Sequence, residues 1–356
     1  MPNTFAQIED KIVRKQPLDR DDAVFLFRFE NDLHKIGMLA DHVKREISKL
    51  DVYYNVNVHL NPTNVCQFRC PLCAFSCDSG NEKAYRLSDA EIFEIVKSAY
   101  DSGCTELHWV GGIPKGIPYS WYLNTLTEIH SRFPDLRIKA WTAVEIVYFA
   151  ESTGRDIKTV LTELKAAGLS ALPGGGAEIF DPEIRKIIAP DKADAESWLN
   201  VHRAAHELGI TTNTTMLFGS FETAEHRIDH ILRLRDLQDE SIRENRPAKF
   251  DTFVPLVFHP YGTAFADLEM IPAHEILRTI AVSRLLFHNI PHIKAYWITL
   301  GPQLAQIALG YGADDFDGTV HKERIHHEAG SKSPDGLSET QIIDLITETG
   351  RTAVRR

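Results

Sequence analysis

The sequence predicts an α/β protein folded as a closed (β/α)8 TIM-type barrel, with an incomplete barrel as the alternative. Three observations carry this. Short β-rich runs alternate with amphipathic helical runs of crossover length, which requires a parallel sheet. About eight such units follow one another without a linker. The chemically unusual residues fall just after strands, the end of a barrel where chemistry sits. With 356 residues the chain can bury a core of that size.

The order of elements begins with an N-terminal helical region over 1–50. A barrel is expected over 51–320, and 321–356 reads as a turn and a helix that closes it. The first strand is "YYNVNVHLN", ending just before the cysteines. "LSDAEIFEIVKSAYDSG" follows as a helix: Ser88 and Glu91 form a capping box, Ile92, Ile95, Val96 and Ala99 share one face, and Gly103 stops it. "TELHWVGG" is the second strand and "YSWYLNTLTEIHSRF" its helix. "LRIKAWTAVE" is the third strand, with "DIKTVLTELKAAG" helical behind it. "LSALPGG" is a short fourth strand. "DAESWLNVHRAAHELG" is a helix with Trp198, Val201, His202 and Ala205 on one face and Gly209 as its stop. "ITTNTTMLFG", "KFDTFVPLVF" and "HIKAYWITLG" read as further strands, and "GADDFDGTV" as an eighth.

Composition narrows the function. The net charge of −11, with no basic tract, argues against a nucleic-acid partner. The N-terminus has no apolar signal-like core, and no apolar run approaches the ~20 residues needed to cross a bilayer. No membrane association and a reducing cytoplasm are therefore expected. Structural disulfides are disfavoured there, and five cysteines is an odd number.

Four of the five lie in "NPTNVCQFRCPLCAFSC". Cys66, Cys70 and Cys73 have the spacing Cys-x3-Cys-x2-Cys. Thiolates suit soft metals, so zinc and an iron–sulfur cluster both remain open. A closed zinc site wants four ligands, usually as two separated pairs, and no second pair appears downstream. Three cysteines on one loop suggest a 4Fe–4S cubane whose fourth iron is free to bind a small molecule.

At this point the chain resembles the radical S-adenosylmethionine (SAM) enzymes, whose signature is this cysteine loop after the first barrel strand. The resemblance implies that Cys66, Cys70 and Cys73 hold the cluster. SAM would chelate the open iron and be cleaved to methionine and a 5′-deoxyadenosyl radical. Cys77 is read as a bystander, because a fourth thiolate would block that iron, and Cys104 as a small buried hydrophobe. Gly111 and Gly112 match the position where the family contacts the SAM amino group through backbone. Glu145 and Glu178 follow strands three and four and can accept hydrogen bonds from the SAM ribose or ammonium. Arg185 or Arg203 is expected to fork onto the SAM carboxylate. His202 and His206, four apart on a helix, read as core packing. His259, in "PLVFHP", is the candidate for substrate contact or proton transfer.

Further blocks, among them "HLNPTNVC", "HWVGGIP", "LPGGGAEIFDPEIRKIIAPDKADAESWL" and "VHRAAHELGI", resemble the aminofutalosine synthase family of menaquinone biosynthesis, from about residue 55 to 320. "CPLC" and "GGIPKGIPY" depart from that family's usual wording without removing a ligand. The resemblance implies addition of the 5′-deoxyadenosyl radical to 3-[(1-carboxyvinyl)oxy]benzoate, attack on the ring, rearrangement and loss of a carboxylate. Lys139, Arg185, Arg203 and His259 are then candidates for holding a dianionic substrate. A reductant such as flavodoxin or ferredoxin is implied. Related families make a cyclised dehypoxanthine futalosine or the deazaflavin chromophore.

Overall fold

A computed structural model describes residues 4–356. Seven strands form one parallel sheet in strict sequence order: β2 (Asn57–Leu60), β3 (Glu106–Trp109), β4 (Arg137–Ala140), β5 (Ala171–Leu172), β6 (Thr211–Phe218), β7 (Phe250–Val257) and β8 (His292–Ile293). Crossover helices separate them. Ser88 and Glu91 make the expected reciprocal cap on the helix Asp89–Asp101, and Gly209 takes φ +73° after the helix Ala195–Glu207.

Closure differs from a regular eight-stranded ladder. The sequence's first strand is two: β1 (Asp51–Asn55) breaks from β2 at Val56. β1 belongs to a separate three-stranded parallel sheet, between β9 (Asp315–Gly318) and β10 (Thr352–Arg355). The segment around β9 joins the two edges of the large sheet. Ala295 N–H donates to Asp315 O (2.7 Å) on the β8 side, and His59 N–H donates to His321 O (2.9 Å) on the β2 side. The sheet is thus curled, with its eighth position filled by isolated bridges.

A buried ion pair fixes that closure. Arg284 donates to Asp314 Oδ1 (2.8 Å), the same oxygen that accepts from Ile293 N–H (2.9 Å), and His292 Nδ1 lies 3.0 Å from Asp314 Oδ2. Arg284 and Asp314 have no exposed side-chain surface, so the pair needs this full set of hydrogen bonds. The N-terminal helix Leu33–Ser48 packs on the helix Ala273–Leu286, and Lys44 Nζ donates to Lys49 O and Asp51 O at the entry to β1. Among the described residues no helix is long and apolar enough to cross a membrane.

Three readings of the sequence need correction. "HIKAYWITLG" is strand only over its first two residues. The chain then turns into the helix Trp297–Leu300, with Trp297 Nε1 donating to Gly318 O (2.9 Å). "LRIKAWTAVE" ends as strand at Ala140, and Ala143 onward is helix. The C-terminal region adds β10 to the expected helix, Glu339–Thr347.

Candidate active site

A cavity of about 290 Å³ opens at the C-terminal ends of the barrel strands and runs into the barrel. Cys66, Cys70 and Cys73 line it, and Cys77 does not. The cysteine loop is pinned at many points. Cys77 N–H donates to Asn64 O (2.9 Å) and Cys66 N–H to Cys77 O (3.2 Å), so Cys77 closes the loop with its backbone. Leu72 N–H donates to Ile188 O (3.2 Å) and Ala264 N–H to Pro71 O (3.0 Å), tying the loop to two further elements. Gly112 is glycine because the loop lies on it: a Cβ there would meet Val65 O at 2.2 Å. Close approach is required as the sequence suggested, but by the loop's own backbone. Gly111 and Gly112 both line the cavity.

All five cysteines are free thiols. Burial pushes the Cys66 thiol up and that of Cys70 to about 11, and each thiolate would oppose the others. Such a trio becomes a thiolate set only when a cation or cluster takes the protons' place. Among the described residues no three His, Cys, Asp or Glu side chains converge as the ligands of one metal ion do. A cubane gives each cysteine its own iron, so its ligands stand wider apart than those of a single zinc. The donor set fits a cluster better than zinc. Cys104 is buried elsewhere and donates to Glu106 O (3.2 Å).

The two glutamates sit on the cavity wall in different states. Glu145 is the third residue of the helix Ala143–Thr153 and accepts from Thr142 N–H (2.7 Å). Burial raises its carboxyl to about 7 against the pull of Thr142 and the Gly111 N–H. Glu178 has φ +47°, a costly conformation for a non-glycine residue. Burial acts to raise its carboxyl, but the Lys192 ammonium bonded to it more than offsets this and holds it below the ordinary range. Trp141, Asp317, Val320 and Lys322 also have positive φ. Backbone strain therefore concentrates at the strand ends and in the closing segment.

Neither arginine lines the cavity. The Arg185 terminal nitrogens donate to the carbonyls of Gly176, Ala177, Ile179 and Ala193, so this side chain holds the loop that carries Glu178. Arg203 lies on the outer side of its helix and forks onto Glu240 at 2.8 and 3.2 Å. Lys192 does line the cavity: it bonds Glu178, and its charge acts on Cys66, Cys70 and Cys73. His202 is fully buried with its ring 3.7 Å from that of Trp198. His206 bonds Ser241 Oγ (2.9 Å) and Thr212 Oγ1 (2.8 Å). Both are core residues.

His259 does line the cavity. Its Nε2 lies 2.9 Å from Thr299 O, which can only accept, so Nε2 carries the proton. Nδ1 is a bare lone pair without a partner among the described residues, and burial lowers the ring's pKa. The neutral ring can accept from a ligand N–H or O–H and would repel a carboxylate. Lys139 lines the wall with its ammonium bonded to Glu106. Sequence reasoning missed His59, His108, Lys294, Tyr296, Glu323 and His326, all on the same wall. Strand register and the folding back of the closing segment, both invisible in a single sequence, gather them.

Comparison with known proteins agrees with this geometry. Residues 60–234 match the radical SAM superfamily, and residues 248–355 match the CofH/MqnC C-terminal region. An aminodeoxyfutalosine synthase of Thermus thermophilus is 40% identical, covering 98% of this chain and 93% of that one. A 5-amino-6-(D-ribitylamino)uracil–L-tyrosine 4-hydroxyphenyl transferase of Methanopyrus kandleri is 38% identical over 95% of this chain and 92% of its own. The crystal structure of a methylornithine synthase superposes with a TM-score of 0.77 at 18% identity, over 98% and 97% of the two chains, which shows a shared fold. Superfamily membership implies a 4Fe–4S cluster and SAM. A cysteine trio on the first barrel strand's loop, a cavity reaching from it into the barrel, and full-length kinship lead to one placement: the chain belongs to the radical SAM superfamily and is an enzyme homologous to aminodeoxyfutalosine synthase.

Proposed function

We propose that the protein is an aminodeoxyfutalosine synthase of menaquinone biosynthesis, acting in the cytoplasm. It would join the 5′-deoxyadenosyl group of SAM to 3-[(1-carboxyvinyl)oxy]benzoate, forming 6-amino-6-deoxyfutalosine with release of methionine and loss of the substrate carboxylate. The observation that carries this reading is one cavity that holds both the cysteines and a lysine- and histidine-bearing floor. Kinship over nearly the whole chain supports it.

Cys66, Cys70 and Cys73 would hold a 4Fe–4S cluster, which, reduced by a flavodoxin or ferredoxin and with SAM bound, would supply the 5′-deoxyadenosyl radical. The chain's own residues bind and shield. The Lys192 ammonium is suited to the SAM carboxylate, and Gly111, Gly112 and Glu178 to its amino and ribose groups. His259 Nδ1 can take a hydrogen bond from a ligand donor. Phe68, Leu72, Val144, Leu217, Val254 and Phe258 line the cavity and exclude water, which a primary radical requires.

The test is an anaerobic assay of the reconstituted, reduced protein with SAM and 3-[(1-carboxyvinyl)oxy]benzoate, read by mass spectrometry. Aminodeoxyfutalosine is the expected product. The similarity to the tyrosine 4-hydroxyphenyl transferase favours a second reading, a synthase of the deazaflavin-chromophore or dehypoxanthine futalosine cyclase type. 5′-Deoxyadenosine without the adduct would select it. No SAM cleavage by an intact cluster would sink both.

A further inference from the structure

The inner end of the cavity is built from residues that no cluster or SAM contact requires. Strand register sets His59 of β2 beside His108 of β3, and His108 beside Lys139 of β4. All three line the cavity, so they form one polar layer across neighbouring strands. The two imidazole rings stand 4.5 Å apart. His59 is buried, and its Nε2 has no hydrogen-bond partner among the described residues. An orphaned polar atom at such depth is destabilising unless a ligand satisfies it.

Two ammonium groups share this end. Lys139 Nζ bonds Glu106, which sits one turn of the pleat below, on the same strand as His108. Lys294 Nζ bonds Asp317 Oδ1 (2.6 Å), with Asp315 Oδ1 at 3.5 Å. The carboxylates hold each ammonium in place, yet an ammonium has three N–H donors, and Lys139 uses one in the protein. Asp317 and Glu323 also line the wall, but Asp317 is engaged by Lys294, and Glu323 by His327 Nδ1 (2.9 Å) and the His326 N–H (3.0 Å). Lys139 thus keeps two N–H donors without a partner among the described residues, and His59 Nε2 donates in one of its two tautomers, so this end of a largely apolar cavity suits an anion.

We propose that the His59–His108–Lys139 layer, with Lys294 beside it, seats an aromatic carboxylate: the ring carboxylate of the substrate, at the end opposite the group that reacts. This rests on the reading above and deepens it. The vinyl carbon must face the cysteine end, where the radical arises, so the ring carboxylate points down the barrel. Loss of the other carboxylate during the reaction then happens away from these donors, and the ring stays anchored throughout.

The test measures binding and does not depend on turnover. Calorimetry on the reconstituted enzyme with SAM present would compare 3-hydroxybenzoate with its neutral amide, 3-hydroxybenzamide. A hydrogen-bonded carboxylate contributes about 1.5–3 kcal/mol, so the acid should bind roughly tenfold to a hundredfold more tightly. The preference should collapse toward unity in His59→Leu and in the charge-balanced pair Lys139→Met with Glu106→Gln, while SAM affinity and iron content stay at wild-type values. Either variant suffices if the other fails to fold. Equal binding of acid and amide by the wild type overturns the assignment, as does a preference that survives in the variants. Failure of the proposed reaction looks different: the acid preference and its loss in the variants persist, but no nucleoside adduct forms.

Discussion

Arg185→Lys keeps a positive charge and removes a planar fork. In the native protein two guanidinium nitrogens serve four carbonyls, on Gly176, Ala177, Ile179 and Ala193. A lysine presents its donors from one atom and cannot span both sides of that set. If two carbonyls lose their donor, at about 1–3 kcal/mol for each buried acceptor left bare, the fold loses about 2–6 kcal/mol. Unfolding entropy of about 2.1 cal/mol/K per residue gives about 0.75 kcal/mol/K for 356 residues, so Tm should fall by about 3–8 °C. Differential scanning calorimetry reads this directly. A second effect follows from position: Ala177 and Ile179 flank Glu178, and Ala193 follows Lys192, so SAM affinity should weaken while the cluster's iron content is kept. A melting temperature within about 1 °C of wild type, with unchanged SAM affinity, would refute the argument that the fork holds this loop.

Three other expectations concern the cluster and the two ends of the pH range. Alanine at Cys66, Cys70 or Cys73 should abolish iron and sulfide incorporation, whereas Cys77→Ala should retain both; the reverse pattern would overturn the ligand assignment. Burial raises Glu145 to about 7 from an ordinary 4.5, so the folded chain holds a proton that the unfolded chain releases, and stability falls as pH rises between those values. In the cluster-free protein Glu145→Gln should remove that fall, which is on the order of 3 kcal/mol; parallel denaturation curves for variant and wild type would count against it. The Glu323 hydrogen bond raises His327 to about 9, so its contribution is complete below the ordinary histidine value near 6.5 and is lost as pH rises through 9. His327→Gln should flatten that alkaline loss, measured as urea midpoints across this window, and an unchanged slope would show that the pair does not control it.

The sequence displays what is local and hides what is paired at a distance. The Ser88 cap, the cysteine loop and the strand–helix rhythm rest on neighbours a few residues apart, and the structure contains them. "HIKAYWITLG" misleads because a short apolar run has no period that separates a strand from a buried helix. β10 escapes notice because "TAVR" is four residues with no alternation to mark it. Arginine was the natural choice for a carboxylate, but residue type cannot say whether its partner is a ligand or a ring of backbone carbonyls, as at Arg185. Lys192, in the polar run "PDKAD", looks like a surface lysine until the chain folds it against Glu178. His59, His108 and Lys139 are separated by tens of residues and become one layer only through register.

The partners of β1 carry a consequence for how the protein is made. β1 leaves the ribosome long before both strands that flank it, β9 and β10, which follow it at residues 315–318 and 352–355. Tyr54 waits as well for Glu339, whose carboxylate accepts its hydroxyl (2.9 Å). Through most of synthesis this strand has two bare edges, and the His59–His321 bond that joins the barrel's edges has not formed. Bare strand edges invite pairing with other chains, and contacts between distant segments form slowly. Expression yield should therefore depend on the speed with which β9 and β10 reach β1. Pulse-chase proteolysis during synthesis would find residues 51–55 protected only after residue 355 has emerged.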